Sequence, residues 1–143
     1  RALKNNQNIS VRNPNSTRPW QHVLEPLVGY LIQAEKMYKC SDNYEPSFNF
    51  GPLSNSNRKV SELIDQVLKV WPGNWVAEGR NYSNIHEANL LYLNIDKAIK
   101  VLRWEPKWDF NETVHKTIKW YYEVNNGKDA FEKTLEDIND FLI

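Results

Sequence analysis

Arg12 and Arg18 stand on either side of Asn13-Pro14-Asn15-Ser16-Thr17, a run of turn-forming residues. Asn, Pro and Ser each favour a reversal, so the run can bring both guanidiniums to one side. Two planar forks at that spacing can grip a diphosphate bidentately. Two plainer readings stay open beside it. Arg18 can stack on Trp20, or it can pair with Glu25, since arginines at the ends of elements are commonly solvated or paired. A second candidate lies in GPLSNSNRKVSELI, residues 51–64. There Lys59 and the N–H groups of a helix start could take an anion, although ordinary capping accounts for the Ser and Asn residues equally well. His86 and Glu87 form a polar pair in the loop NYSNIHEANL. Loops concentrate ligand contacts, but one such pair carries little by itself.

Other chemistries are missing from the pattern. The sequence has no GxGxxG, no Walker loop and no HExxH. One cysteine, Cys40, and three widely spaced histidines, His22, His86 and His115, do not make a metal site. His115 reads as surface on a helix, and Cys40 as packing. No serine sits in a nucleophile elbow. Eighteen basic residues balance eighteen acidic ones, which removes the electrostatic case for general nucleic-acid or membrane-surface binding. No apolar run is long enough to cross a bilayer. A single cysteine excludes an internal disulfide framework and suits a reducing compartment, so a cytoplasmic location is expected. The Asn-x-Ser/Thr triplets at Asn8, Asn15, Asn81 and Asn111 are then coincidences of composition.

Five helices must hold these candidates in place. Leu24, Leu27, Val28, Leu31 and Ile32 recur on one face, with Pro26 in the first turn, and predict a helix from about Glu25 to Lys39. Val60, Leu63, Ile64, Val67, Leu68 and Trp71 make a second stripe, stopped at Pro72-Gly73. Ile95, Ala98, Ile99 and Leu102 mark a short third helix capped by Asn94. Asn111 is expected to cap a fourth, with Val114, Ile118, Tyr121 and Tyr122 buried and Gly127 at its end. A fifth should turn Phe131, Leu135, Ile138 and Leu142 inward. Short extended pieces are expected at Ile9–Arg12, Arg18–Val23, Ser47–Phe50, Trp75–Ala77 and Leu90–Leu93. In LRWEPKWDF, Trp104 and Trp108 bracket Pro106 and read as a packing device. Eighteen aromatic residues support a packed core. The fold class is therefore a mainly helical α/β domain with two- or three-stranded sheets, a single unit spanning residues 1–143. The opening RALKNNQ, with the sole Met at position 37, suggests a piece of a longer polypeptide.

Taken in order, VRNPNSTRPWQHVLEPLVGYL, FNFGP, HEANLLYLN and LRWEPKW resemble the C-terminal substrate-binding part of extended short-chain dehydrogenase/reductases that act on nucleotide sugars. The likeness runs from about Arg1 to Tyr122, and RPWQHVLEPL with HEA is most similar to the branch of dehydratases using CDP-glucose. Arg103 replaces the glycine usual in the Leu-Gly-Trp-x-Pro motif, which puts the local backbone angle in question. The resemblance implies a NAD-dependent 4,6-dehydratase, a lyase of cell-surface polysaccharide (O-antigen, lipopolysaccharide) synthesis. Its NAD and its catalytic groups would belong to an N-terminal Rossmann part. It assigns no catalytic residue to this chain; the piece alone would be inactive and monomeric, and the parent enzyme a homo-oligomer. What it does assign is substrate contact: Arg18 to the diphosphate, Val11 and Arg12 to the edge beside base and ribose, and Lys59, His86 and Glu87 to nucleotide, phosphate or ribose.

Overall fold

Each helix forms where an apolar stripe meets a side chain able to take its first free N–H groups. The computed structural model describes residues 1–39, 47–78 and 91–143, and their helices are α1 (Leu24–Lys39), α2 (Val60–Val70), α3 (Phe110–Asn125) and α4 (Ala130–Leu142). Helix α1 begins one residue before the expected start, because the Leu24 N–H donates to His22 Nδ1 at 3.3 Å. Asp109, and not Asn111, caps α3, its carboxylate accepting the Glu112 N–H at 2.9 Å. A charged acceptor at the positive end of the helix outcompetes the neutral amide two residues later. Asp129 does the same for α4 through Glu132. Gly127, at φ +99°, supplies the left-handed residue that reverses the chain between α3 and α4.

Four short strands pair in two small sheets. Strand β1 (Ile9–Val11) runs parallel to β4 (Trp75–Ala77), and β2 (Thr17–Pro19) runs antiparallel to β3 (Asn57–Lys59). The expected strand over 18–23 is cut at Pro19, where His22 turns the chain into α1. Strand β3 was read from sequence as loop. Residues 47–50 and 91–93 belong to no sheet among the described residues.

Two clusters make the core. Phe50, Ile95, Ala98, Leu102 and Trp104 gather against Val28 and Ile32 of α1. Val67, Phe110 and Val114 gather against Leu3, Trp20, Leu63 and Ile118. Gly29 permits the first contact: a Cβ there would lie 2.4 Å from the Phe50 ring. Three inward faces differ from expectation. On α1, Leu27 and Leu31 are exposed while Val28 and Ile32 pack on the core. Helix α4 buries Lys133, Asp137 and Phe141, while Phe131, Leu135 and Leu142 are exposed and Ile138 half-buried. Lys133 and Asp137 neutralise each other across one turn, and Phe141 meets Trp108 edge-on at 4.8 Å, so the charged pair goes inward. On α3, Tyr121 and Tyr122 are exposed, Tyr122 resting edge-on against Trp71.

The third helix is a single wide turn over Ala98–Leu102, wound as a π-helix, with Asn94 Oδ1 accepting the Asp96 N–H at 2.9 Å. It ends at Arg103, which adopts φ +53°. A non-glycine residue there costs about 1–2 kcal/mol. The chain accepts this strain where the resembling motif carries glycine. Arg103→Gly is expected to raise the unfolding free energy by about 0.5–1 kcal/mol, the strain relief less the glycine entropy. Urea denaturation checks it, and an unchanged or lower midpoint contradicts the strain.

Candidate functional site

The antiparallel ribbon of β2 and β3 brings the cations together. Its register sets Arg18 opposite Arg58 and Thr17 opposite Lys59. Directly opposite residues share a face of the ribbon, so Arg58 joins Arg18, a partner the sequence reading missed. The signal for it existed only in the pairing of two short segments 40 residues apart. Arg18 donates from Nη1 to its neighbour's carbonyl, Thr17 O, at 2.9 Å. Arg58 donates from Nε to Asn55 O at 3.0 Å and from Nη1 to Glu62 at 3.4 Å, with its guanidinium 6.0 Å from the Phe110 ring centre. Trp20 fixes the ribbon from below by donating Nε1–H to Arg58 O at 2.9 Å.

The Asn13–Ser16 turn lies on the start of α2. Ser61 N–H donates to Pro14 O at 2.9 Å, and Val60 N–H to Ser16 O at 3.0 Å. Lys59 N–H donates to Glu62 Oε2 at 2.8 Å. The N–H groups that the sequence offered to an anion are therefore taken by the turn and by Glu62, and that reading is corrected. The Lys59 side chain remains exposed on β3. Val11 is buried, and its carbonyl accepts the Glu78 N–H at 2.8 Å, which leaves the exposed Arg12 side chain as the accessible part of that edge. His86 and Glu87 lie outside the described residues. Among the described residues no three His, Cys, Asp or Glu side chains gather to hold a metal.

Behind the ribbon, Glu25 does not serve as a surface ion-pair partner. It is 1% exposed. Its carboxylate accepts the backbone N–H of Lys107 at 3.0 Å and of Trp108 at 2.8 Å, and its own carbonyl accepts Trp104 Nε1–H at 3.1 Å. The RPWQHVLEP and LRWEPKW segments are thus joined by one carboxylate. Burial pushes the Glu25 carboxyl above its ordinary range, opposed by the N–H donors of Trp108 and Lys107. His22 packs edge-on to Trp108 at 4.8 Å. Burial holds its imidazole below the ordinary value; Asp137 opposes this, and Lys116 and Lys133 add to it. Neutral His22 keeps Nδ1 free of a proton, as its bond from Leu24 N–H requires.

No family model matches the chain. CDP-glucose 4,6-dehydratase of Salmonella typhimurium is 35% identical over 144 residues, covering 99% of this chain and 40% of that protein. The chain thus spans about two-fifths of that relative's length. Two solved structures share the fold. The UDP-N-acetylglucosamine 4-epimerase of Bacillus cereus aligns with TM-score 0.61 at 16% identity, over 85% of this chain and 40% of its own. The dTDP-glucose 4,6-dehydratase of Bacillus anthracis, solved in complex with NAD, aligns with TM-score 0.61 at 15% identity, over 85% of this chain and 37% of its own.

Glu25→Ala strands the buried Trp108 N–H and the part-buried Lys107 N–H and should cost about 2–4 kcal/mol in urea unfolding, with Glu25→Gln recovering part by accepting one of them. A loss under 1 kcal/mol for the alanine variant would contradict the clamp. The His22 value is lowered in the folded state, so its contribution is intact above about pH 6.5 and is lost as pH falls below that. The Glu25 value is raised, so its contribution runs the other way, lost as pH rises through that raised value. Between about pH 7 and pH 5, His22→Asn, which keeps an acceptor for Leu24, should therefore lose less stability on acidification than the native chain; equal slopes would refute it. The chain shares the fold of part of a nucleotide-sugar epimerase and of a nucleotide-sugar dehydratase, and it is similar in sequence to two-fifths of CDP-glucose 4,6-dehydratase.

Proposed function

We propose that this chain is the sugar-nucleotide-binding portion of a cytoplasmic CDP-glucose 4,6-dehydratase, converting CDP-glucose to CDP-4-keto-6-deoxyglucose and water. The observation that carries this reading is the 35% identity over 99% of the chain, which includes the stretch that places Arg18 on β2. NAD, held by an N-terminal portion of the full-length polypeptide, would supply the transient hydride acceptor. The residues of this chain bind and orient. Arg18 neutralises the diphosphate, a charge-assisted contact of about 1.5–3 kcal/mol. Arg58, opposite it on the ribbon, adds positive potential on the same face. Arg12 is the accessible side chain of the edge beside base and ribose, to which this reading also assigns the buried Val11, with Lys59, His86 and Glu87 as further nucleotide contacts. The product would serve cell-surface polysaccharide synthesis. By itself the chain is expected to turn over no substrate, because this reading assigns the hydride acceptor and the proton-transfer groups to the N-terminal portion.

A sibling enzyme using another nucleotide is the second reading, in line with the two structures of like fold, a UDP-N-acetylglucosamine 4-epimerase and a dTDP-glucose 4,6-dehydratase. Thermal shift with CDP, dTDP, UDP and GDP separates the two, since a ligand that binds only the folded state raises the midpoint. CDP is expected to give the largest rise, and Arg18→Ala to weaken CDP binding about 10- to 100-fold. A larger rise with another nucleotide selects the sibling. No rise with any of them, or an Arg18→Ala variant that binds as the native chain does, refutes the site.

A further inference from the structure

Glu62 has two partners, and it holds them unequally. Its Oε2 accepts the Lys59 N–H at 2.8 Å and caps α2, while its Oε1 meets Arg58 Nη1 at 3.4 Å. The second contact is longer than the roughly 2.7–2.9 Å of a firm charge-assisted bond. The two side chains are 47% and 43% exposed, so a dissolved anion can reach the pair. Exposed pairs of this kind contribute little to stability. Arg58 is oriented by other contacts as well. Its Nε donates to Asn55 O at 3.0 Å, and its guanidinium lies 6.0 Å from the Phe110 ring centre. Trp20 Nε1–H bonds to the backbone carbonyl of the same residue. Arg58 Nη2 meets no acceptor among the described residues. The guanidinium therefore keeps its direction without Glu62, on a side chain that shares its ribbon face with Arg18.

We infer that Glu62 is an exchangeable counter-ion for Arg58, which it holds in the unliganded chain and gives up to the diphosphate of a bound nucleotide. This rests on the nucleotide-sugar reading, which assigns the diphosphate to Arg18. A diphosphate carries more than one negative charge, and the register places Arg58 as the next cation beside Arg18. Glu62 then works in two opposed ways. It steadies a ribbon in which like charges stand directly opposite each other. It also competes with the ligand for Arg58, because its cap bond keeps the carboxylate at the head of α2. Stability of the unliganded chain and affinity for the diphosphate are therefore set against each other by one side chain. Glu62 is a positioning residue that acts on the ligand through Arg58.

Calorimetric titration with CDP, paired with thermal midpoints of the unliganded proteins, tests the exchange. Glu62→Gln keeps the cap, since glutamine also serves in a capping box, and removes the charge. It should lower the unliganded midpoint by about 1–3 °C and yet bind CDP about 2- to 5-fold more tightly. A merely structural role would weaken both. Arg58→Ala leaves the carbonyl that Trp20 holds, and should weaken CDP binding about 5- to 20-fold. In that background the gain from Glu62→Gln should disappear. Glu132→Gln removes the same charge from the first turn of α4, which packs on α3, and should leave CDP affinity unchanged. Unchanged or weaker CDP binding by Glu62→Gln overturns the proposal. So does a gain that persists beside Arg58→Ala, and so does an equal gain from Glu132→Gln, which would reflect net charge alone. If Arg18→Ala weakens CDP binding while Arg58→Ala and Glu62→Gln leave it unchanged, the counter-ion fails and the nucleotide reading stands. A native chain that binds no CDP sinks the nucleotide reading itself, and the counter-ion with it.

Discussion

One buried carboxylate joins the two halves of this domain. Glu25 sits in the first turn of α1, immediately after the strand that carries Arg18, and takes the backbone N–H groups of Lys107 and Trp108 from a segment more than 80 residues away. A charge that deep is tolerated because its oxygens are met by donors fixed in the backbone of a Pro-stiffened turn. The same residue's carbonyl holds Trp104, whose ring closes the first core cluster. Strand, helix and turn therefore share one anchor, and the direction of β2 follows from it.

The ribbon then does what a lone strand cannot. Opposing Arg18 and Arg58 across two strands concentrates positive charge at a place where the chain as a whole is neutral. Like charges placed directly opposite are unfavourable in a sheet. Here the cost is met partly by Glu62, which contacts Arg58 and also caps α2, and partly by Phe110 beneath the guanidinium. An arrangement that spends stability to gather cations is typical of a site built for an anion.

Much of this was legible in the sequence. The α2 stripe, the role of Trp104 and Trp108 as packing residues, and the odd Arg103 each followed from local rules that the structure obeys. The misses share a cause. Strand β3, the partner of Arg18, depends on pairing at a distance, and no local pattern announces a three-residue strand. Helix α4 turned the other way because a one-turn ion pair between Lys133 and Asp137 with Phe141 made a better inner face than the aliphatic stripe, a tertiary choice that overrides periodicity. The helix start at Lys59 looked open to an anion because the turn that fills it comes from residues 13–16. The exposed stripe of α1 had been counted with its buried one as a single apolar face, and burial alone separates the two.

The central claim is that the Glu25 anchor aims β2 so that Arg18 meets a nucleotide diphosphate. The most direct measurement is a titration of the ¹⁵N-labelled chain with CDP, followed by amide shifts. The account predicts saturable shifts grouped at Thr17–Pro19 and around Arg12, absent when Arg18 is alanine. Shifts that fall elsewhere, or that persist unchanged in the alanine variant, would contradict it.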